Sequence, residues 1–179
     1  MTLREATEEL HSKAEKMEFN QRMLKGELTT KEYLNYLTEQ YAIFEALELG
    51  LMRIGCNHLL TPFQRTFNIA LDVVELWSEG EVEPNMKAAY DATRQYITYL
   101  DTLEEKDIQP HLYLNYMALL FGGQLLKVRT PGKGKMYDFD QRDLLISTIR
   151  GMQKDEWADE VNKGFEFIIN ILDELQTKA

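Results

Sequence analysis

The chain has 179 residues, 44% of them apolar, which suits one globular unit with one sizeable core and argues against disorder. Lys and Arg total 20 against 30 Asp and Glu, a formal net charge of −10, which argues against a nucleic-acid binder and against docking on an anionic membrane. A single cysteine, Cys56, excludes an intrachain disulfide or a cysteine metal cluster and fits a reducing cytoplasm.

The predicted elements are successive amphipathic helices. The stretch Met1 to Glu5 lacks the apolar core of a signal peptide. Thr2 and Glu5 have capping-box spacing, and Leu3, Ala6, Leu10, Ala14 and Met17 follow helical spacing through a first helix. Thr29 and Glu32 repeat that signal ahead of a second helix, from about Thr30 to Gly55, with Tyr33, Leu37, Tyr41, Phe44 and Leu47 near one side. Thr61-Pro62 reads as an N-cap followed by proline at the first helical position, opening a third helix that reaches about Trp77. A break at Gly80 to Pro84 precedes a fourth helix, which starts near Pro84 and carries Ala88, Ala92, Tyr96, Tyr99 and Leu103. Gln109-Pro110 opens a fifth, running to about Val128, and Thr130 to Lys135 is the clearest loop. Asp138 and Gln141 stand as caps of a sixth helix that leads to about Met152, and a last helix spans roughly Trp157 to Leu175. With no alternating strand pattern, repeat or linker, the expected fold is all-α in a single domain, 1–179. No apolar run approaches the roughly 20 residues that span a bilayer. The longest, around Leu112 to Leu126, is interrupted by Asn115, Gly122, Gly123 and Gln124.

Two features are odd for a plain helical bundle. Gly122-Gly123 lies inside an otherwise continuous helix, where each glycine costs about 1 kcal/mol relative to alanine. The pair marks either close helix packing or a backbone that must lie against something flat and bulky. His11 and Glu15 are four apart and so share one helical face at the edge of the apolar stripe. They are either a surface pair or a metal-binding imidazole whose second nitrogen is held by a carboxylate.

The run Leu3-Arg4-Glu5-Ala6-Thr7-Glu8-Glu9-Leu10-His11-Ser12-Lys13-Ala14-Glu15 resembles the N-terminal helix of the biliverdin-forming heme oxygenases. The likeness continues through Glu18-Phe19, Lys25-Gly26 and Tyr41 to Glu48, then His111 to Tyr116 leading into Gly122-Gly123-Gln124-Leu125-Leu126-Lys127, and finally Phe167 to Ile171. It implies a helical bundle with heme between the first and fifth helices, His11 as the proximal iron ligand and Glu15 orienting it. The implied reaction converts heme, which is both substrate and cofactor, to biliverdin, carbon monoxide and ferrous iron. It uses O2 and reducing equivalents from a ferredoxin-type donor, with a bilin reductase downstream. Membrane-bound relatives carry a C-terminal anchor; this chain ends at Ala179 after its last helix and is expected to be soluble and cytoplasmic.

The resemblance breaks where oxygen chemistry belongs. The family reads Gly-Asp-Leu-Ser before Gly-Gly-Gln; here the stretch is Ala118-Leu119-Leu120-Phe121. Leu119 replaces the aspartate that organises distal water, Phe44 a tyrosine of the same network, and Asn115 an arginine. A leucine and a phenylalanine cannot hold a water. The candidate replacements are Asn170, Asn115, Tyr113, His111 and backbone carbonyls near Gly122, with Asn170 and those carbonyls first. The expected catalytic set is therefore Asn170, Gly122 and Gly123. Two competing readings are a heme carrier or sensor without turnover and a helical relative that binds another ligand, such as a thiamin-degrading one.

Arg4, about two turns before His11, and Arg150 are the candidate propionate partners, with Arg142 weaker. Tyr113 and Phe121 are expected to pack on the ring, alternatively in ordinary core. His58 near Cys56 is a poor metal site. Trp77, Trp157 and the methionines read as core. Lys127, Arg129, Lys133 and Lys135 form a basic cluster, either a solvated loop or a docking point for an acidic ferredoxin-type carrier near the exposed heme edge.

Overall fold

The computed structural model describes residues 1–55, 62–78 and 86–178. Among them nine α-helices follow one another: α1 Leu3–Lys16, α2 Glu18–Lys25, α3 Thr30–Arg53, α4 Thr66–Ser78, α5 Asp91–Thr102, α6 Glu105–Phe121, α7 Gly123–Lys127, α8 Arg142–Met152 and α9 Ala158–Thr177. Short 3-10 turns at Lys135–Tyr137 and Asp155–Trp157 precede α8 and α9. There is no strand among the described residues, and no helix is long and apolar enough to cross a membrane.

The helices with complete local signals begin where the sequence says. Thr2 and Glu5 form both bonds of a capping box at α1, and Thr29 and Glu32 do the same at α3. A further helix, α2, is absent from the sequence reading. Met17 separates it from α1 by one non-helical residue and supplies no side-chain cap, so nothing local announces the break. Gly26, at φ 72°, ends α2 in the left-handed conformation that glycine adopts without strain.

The starts of α4 and α5 differ from expectation, and carboxylates of α3 and α9 are the reason. Glu48 on α3 accepts from the backbone N–H groups of Arg65 at 2.6 Å and Thr66 at 3.0 Å, so α4 begins at Thr66. Glu39, one face further back, accepts from Ala89 at 2.7 Å, and Glu174 of α9 accepts from Ala92 at 2.9 Å. The fourth predicted helix therefore starts at Asp91, not near Pro84, and leaves Ala88 outside it. Thr61, the Gly80 to Pro84 break, Cys56 and His58 lie outside the described residues.

The predicted fifth helix is also corrected. It begins at Glu105 with Pro110 inside it, and it ends at Phe121; α7 is a separate segment. Gly122 keeps right-handed dihedrals (φ −75°, ψ −29°), and Arg142 donates two hydrogen bonds, at 3.0 and 2.7 Å, to the Leu120 carbonyl at the break. Gln141 occupies the cap position of α8 without a side-chain bond, while the Asp138 carboxylate pairs with Lys127.

Packing forms two clusters. The larger gathers α2 to α8 and the C-terminal half of α9 around Phe19, Tyr33, Leu47, Tyr96, Tyr116 and Tyr137. The smaller joins Leu3, Leu10 and Ala14 of α1, and Met17 just after it, to Val161, Phe165 and Ile169 of α9, with Leu114 of α6 also in the cluster. Trp157 is buried there, but Trp77 is 40% exposed and so is not core.

Candidate functional site

Because Leu3 and Ala14 face α9, His11 falls on the flank of α1, with its side chain 49% exposed. Its ring edge meets Phe165, with centroids 5.6 Å apart. Glu15 approaches Nε2 at 3.5 Å, an electrostatic contact that falls short of a formed hydrogen bond. The imidazole is thus held in place without committing either nitrogen.

At the other end of α1, Arg4 lies within electrostatic reach of Tyr113, as does Arg150. Burial pushes the Tyr113 hydroxyl up, and the two guanidinium groups oppose that shift. Arg150 also lies over the Phe121 ring at 5.1 Å, and Arg142 at 5.8 Å. Phe121 is 47% exposed. Three helices therefore bring Arg4, Tyr113, Phe121 and Arg150 to one rim. Tyr113 turns its ring edge to Trp157, with centroids 6.2 Å apart.

The two glycines divide. A Cβ on Gly123 would sit 2.6 Å from the Tyr137 ring, so this glycine makes room for Tyr137 in the core. Gly122 is exposed, and a Cβ there would meet only the Ala118 carbonyl of its own turn. Gly122, Ala118 and Phe121 form an exposed face of small residues edged by an aromatic.

Asn170 is exposed. It lies on the exposed face of α9 with Lys163, Glu166 and Asp173, whereas Val161, Phe165, Ile169 and Leu172 are buried. Leu119 and Phe44 are buried apolar groups, and Phe44 packs edge-on against Tyr116.

A polar chain absent from the sequence reading joins α5, α6 and α9. Asn115 Nδ2 donates to Tyr96 Oη at 2.9 Å, Tyr96 Oη bonds His111 Nδ1 at 2.9 Å, and His111 Nε2 bonds Glu160 Oε1 at 2.9 Å. Tyr99 donates to the same carboxylate oxygen, and Lys163 donates to Tyr99 at 2.9 Å. Gly164 permits this approach, because a Cβ there would lie 2.5 Å from Leu114 and 3.2 Å from His111 Nδ1. His111 is wholly buried and bonded across helices, not to its own helix start. The only linear signal is the three- or four-residue spacing of Tyr96 and Tyr99, His111 and Asn115, and Glu160 and Lys163 on their helices.

Two of the four cations in the basic cluster pair with carboxylates. Lys127 pairs with Asp138, Lys133 lies 3.5 Å from Glu75, and Arg129 donates to the Leu24 carbonyl at 2.6 Å. Asp72 fixes the adjoining turn through the backbone N–H groups of Lys135 and Met136, both at 2.8 Å.

An uncommitted imidazole, an exposed bare glycine and two arginines beside an exposed aromatic rim fit a flat, metal-containing, dianionic macrocycle. Together they form a candidate site on the flank of an all-α bundle. The heme oxygenase profile matches residues 1–173, and the chain belongs to that family. A heme oxygenase of Guillardia theta is 28% identical over 157 residues, 79% of this chain and 65% of that protein. Bovine heme oxygenase 1 is 31% identical over 139 residues, 70% of this chain and 46% of that protein. The chain thus spans less than two-thirds of the length of both curated relatives. The heme oxygenase structure of Leptospira interrogans superposes with a TM-score of 0.81 at 23% identity, covering 97% of this chain and all of that one. Heme oxygenase-1 of Synechocystis, solved in complex with heme, gives a TM-score of 0.77 at 21% identity, covering 98% of this chain and 91% of that one.

Proposed function

We propose that the chain binds heme between α1 and the exposed face of α6 that ends at Gly122, and converts it with O2 and reducing equivalents to biliverdin, carbon monoxide and ferrous iron. The observation that carries the reading is His11, half exposed beside Glu15 on the flank of a helix that its neighbouring face anchors to α9. Heme supplies both the iron that binds oxygen and the ring that is opened. One His11 nitrogen serves as the iron ligand, while Glu15 accepts from the other, fixing the tautomer and raising the basicity of the ligand. Arg4 and Arg150 pair with the propionates, Tyr113 and Phe121 flank the ring, and Gly122 lets the backbone approach it.

The test is to add heme, then a reductant in air with catalase present, and to follow the absorption spectrum. A Soret band that gives way to a bilin band is the expected result. A Soret band that persists supports a heme carrier or sensor, the reading favoured by buried apolar Leu119 and Phe44. Absence of a Soret shift overturns both. Electrons are proposed to come from a ferredoxin-type carrier beside Lys127, Arg129, Lys133 and Lys135, and the product to pass to a bilin reductase.

A further inference from the structure

Asn115 sits one turn before Leu119 and two turns before Gly122, on the stripe of α6 that also carries Ala118. Its Nδ2 donates to the His111 carbonyl at 2.8 Å and to Tyr96 Oη at 2.9 Å. A carbonyl can only accept, so the nitrogen end of the amide is fixed toward His111 and both amide hydrogens are used. The Oδ1 end accepts no hydrogen bond from the described residues and is not among the fully enclosed atoms.

The direction of the remaining bonds follows from charge. Desolvation holds His111 below the usual histidine range, so it is neutral near pH 7. Burial acts to raise the Glu160 carboxyl, but hydrogen bonds from Tyr99 and His111 outweigh it and the net direction is down, so Glu160 is ionised. An ionised carboxylate accepts only, which puts the His111 proton on Nε2 and leaves Nδ1 to accept from Tyr96. Tyr96 in turn accepts from Asn115, and Lys163 and Tyr99 converge on Glu160 from the other side. Every bond donates toward Glu160. A chain ordered in this way does not pass a proton inward, because His111 Nε2 is already occupied and the inner end is an amide. What it does is polarise and lock that amide, and an amide that donates through nitrogen accepts more strongly through oxygen.

We propose that Asn115 takes over the task of the missing aspartate by holding a distal water through Oδ1, and that Tyr96, His111 and Glu160 are positioning residues that fix the carboxamide for it. The inference rests on the heme-binding reading above. Of the other candidates, Asn170 faces outward from α9, and Tyr113 belongs to the arginine rim.

The test has two readouts besides turnover. In the apoprotein, 15N-labelled His111 is expected to show the Nε2–H tautomer by NMR; the Nδ1–H tautomer overturns the ordered chain. In the ferric heme complex, the midpoint between the acid and alkaline spectra is titrated for the unmodified protein, Asn115→Leu and Glu160→Gln. Removing an acceptor that favours the water form is expected to lower the midpoint by about one unit in Asn115→Leu, with heme affinity within about twofold. Glu160→Gln is expected to lower it less, since the amide is loosened but present. An unchanged midpoint in Asn115→Leu overturns the role of Asn115. A shift there with none in Glu160→Gln overturns the positioning chain. An unmodified protein without a Soret band overturns the heme reading itself, a result separable from the others by its spectrum.

Discussion

The His11 imidazole rests one edge on Phe165 and is otherwise half exposed, so its removal takes little packing with it. His11→Ala is expected to abolish the ligand-dependent heme spectrum while helicity persists, with a stability change of about 1 kcal/mol or less, because alanine favours the helix. A heme titration beside a circular-dichroism melt checks both halves, and an unchanged heme spectrum would remove His11 from the site. The glycine pair invites a second comparison. Gly122→Ala keeps its right-handed backbone, and its methyl group meets only the Ala118 carbonyl, at 3.1 Å, so it is expected to change the apoprotein melting temperature little and to weaken heme binding. Gly123→Ala drives a methyl group into Tyr137 and is expected to cost about 1–3 kcal/mol of stability. Equal behaviour of the two would contradict the division. At this scale His11, Glu15 and the Gly-Gly pair are legible in the sequence, because helical spacing and chain order carry them. The different duties of Gly122 and Gly123 are not, since Tyr137 reaches Gly123 from a loop 14 residues further on.

Helices that carry their own start signals, α1 and α3, were legible from a threonine and a glutamate three residues apart. Those started by a partner were not: nothing between residues 86 and 92 announces that carboxylates of α3 and α9 will take their N–H groups. The same blindness hides the junction of α5, α6 and α9, whose members lie up to 67 positions apart yet meet around His111. That junction makes a pH prediction. His111 binds its proton less readily folded than unfolded, so between the ordinary value of 6.5 and its lower folded value the unfolded chain holds the extra proton. The contribution of His111 is complete above pH 6.5 and is lost as the pH falls through the folded value. Glu160, lowered overall despite its burial, acts in the same sense below 4.5, whereas buried Glu39 and Asp72, both raised, act in the opposite sense. Denaturant melts at stepped pH, comparing the unmodified protein with His111→Gln, isolate the first effect. The variant is expected to lose less stability on acidification below 6.5, and identical slopes would mean that His111 is not held neutral.

The molecule as a whole carries a net charge of −10, and in its one sequence-visible basic cluster Lys127 and Lys133 pair with Asp138 and Glu75. Steering of an acidic electron carrier then depends on small local excesses of charge. Charge reversal at Lys133 and Lys135 is expected to slow carrier-driven turnover and to spare turnover driven by a small chemical reductant. Equal losses with both reductants would point to damage at the heme site. The two buried glutamates of α3 bear on a different property, the order in which the bundle assembles. Glu48 holds the first N–H group of α4, and Glu39 holds the Ala89 N–H just ahead of α5, so neither approach to a helix start is fixed until α3 is in place beside it. If α5 docks after the folding barrier, Glu39→Gln speeds unfolding and leaves the refolding rate nearly unchanged in a chevron plot. Slowed refolding would instead place the start of α5 within the nucleus. Either way, α3 acts as the template on which its neighbours find their first turn.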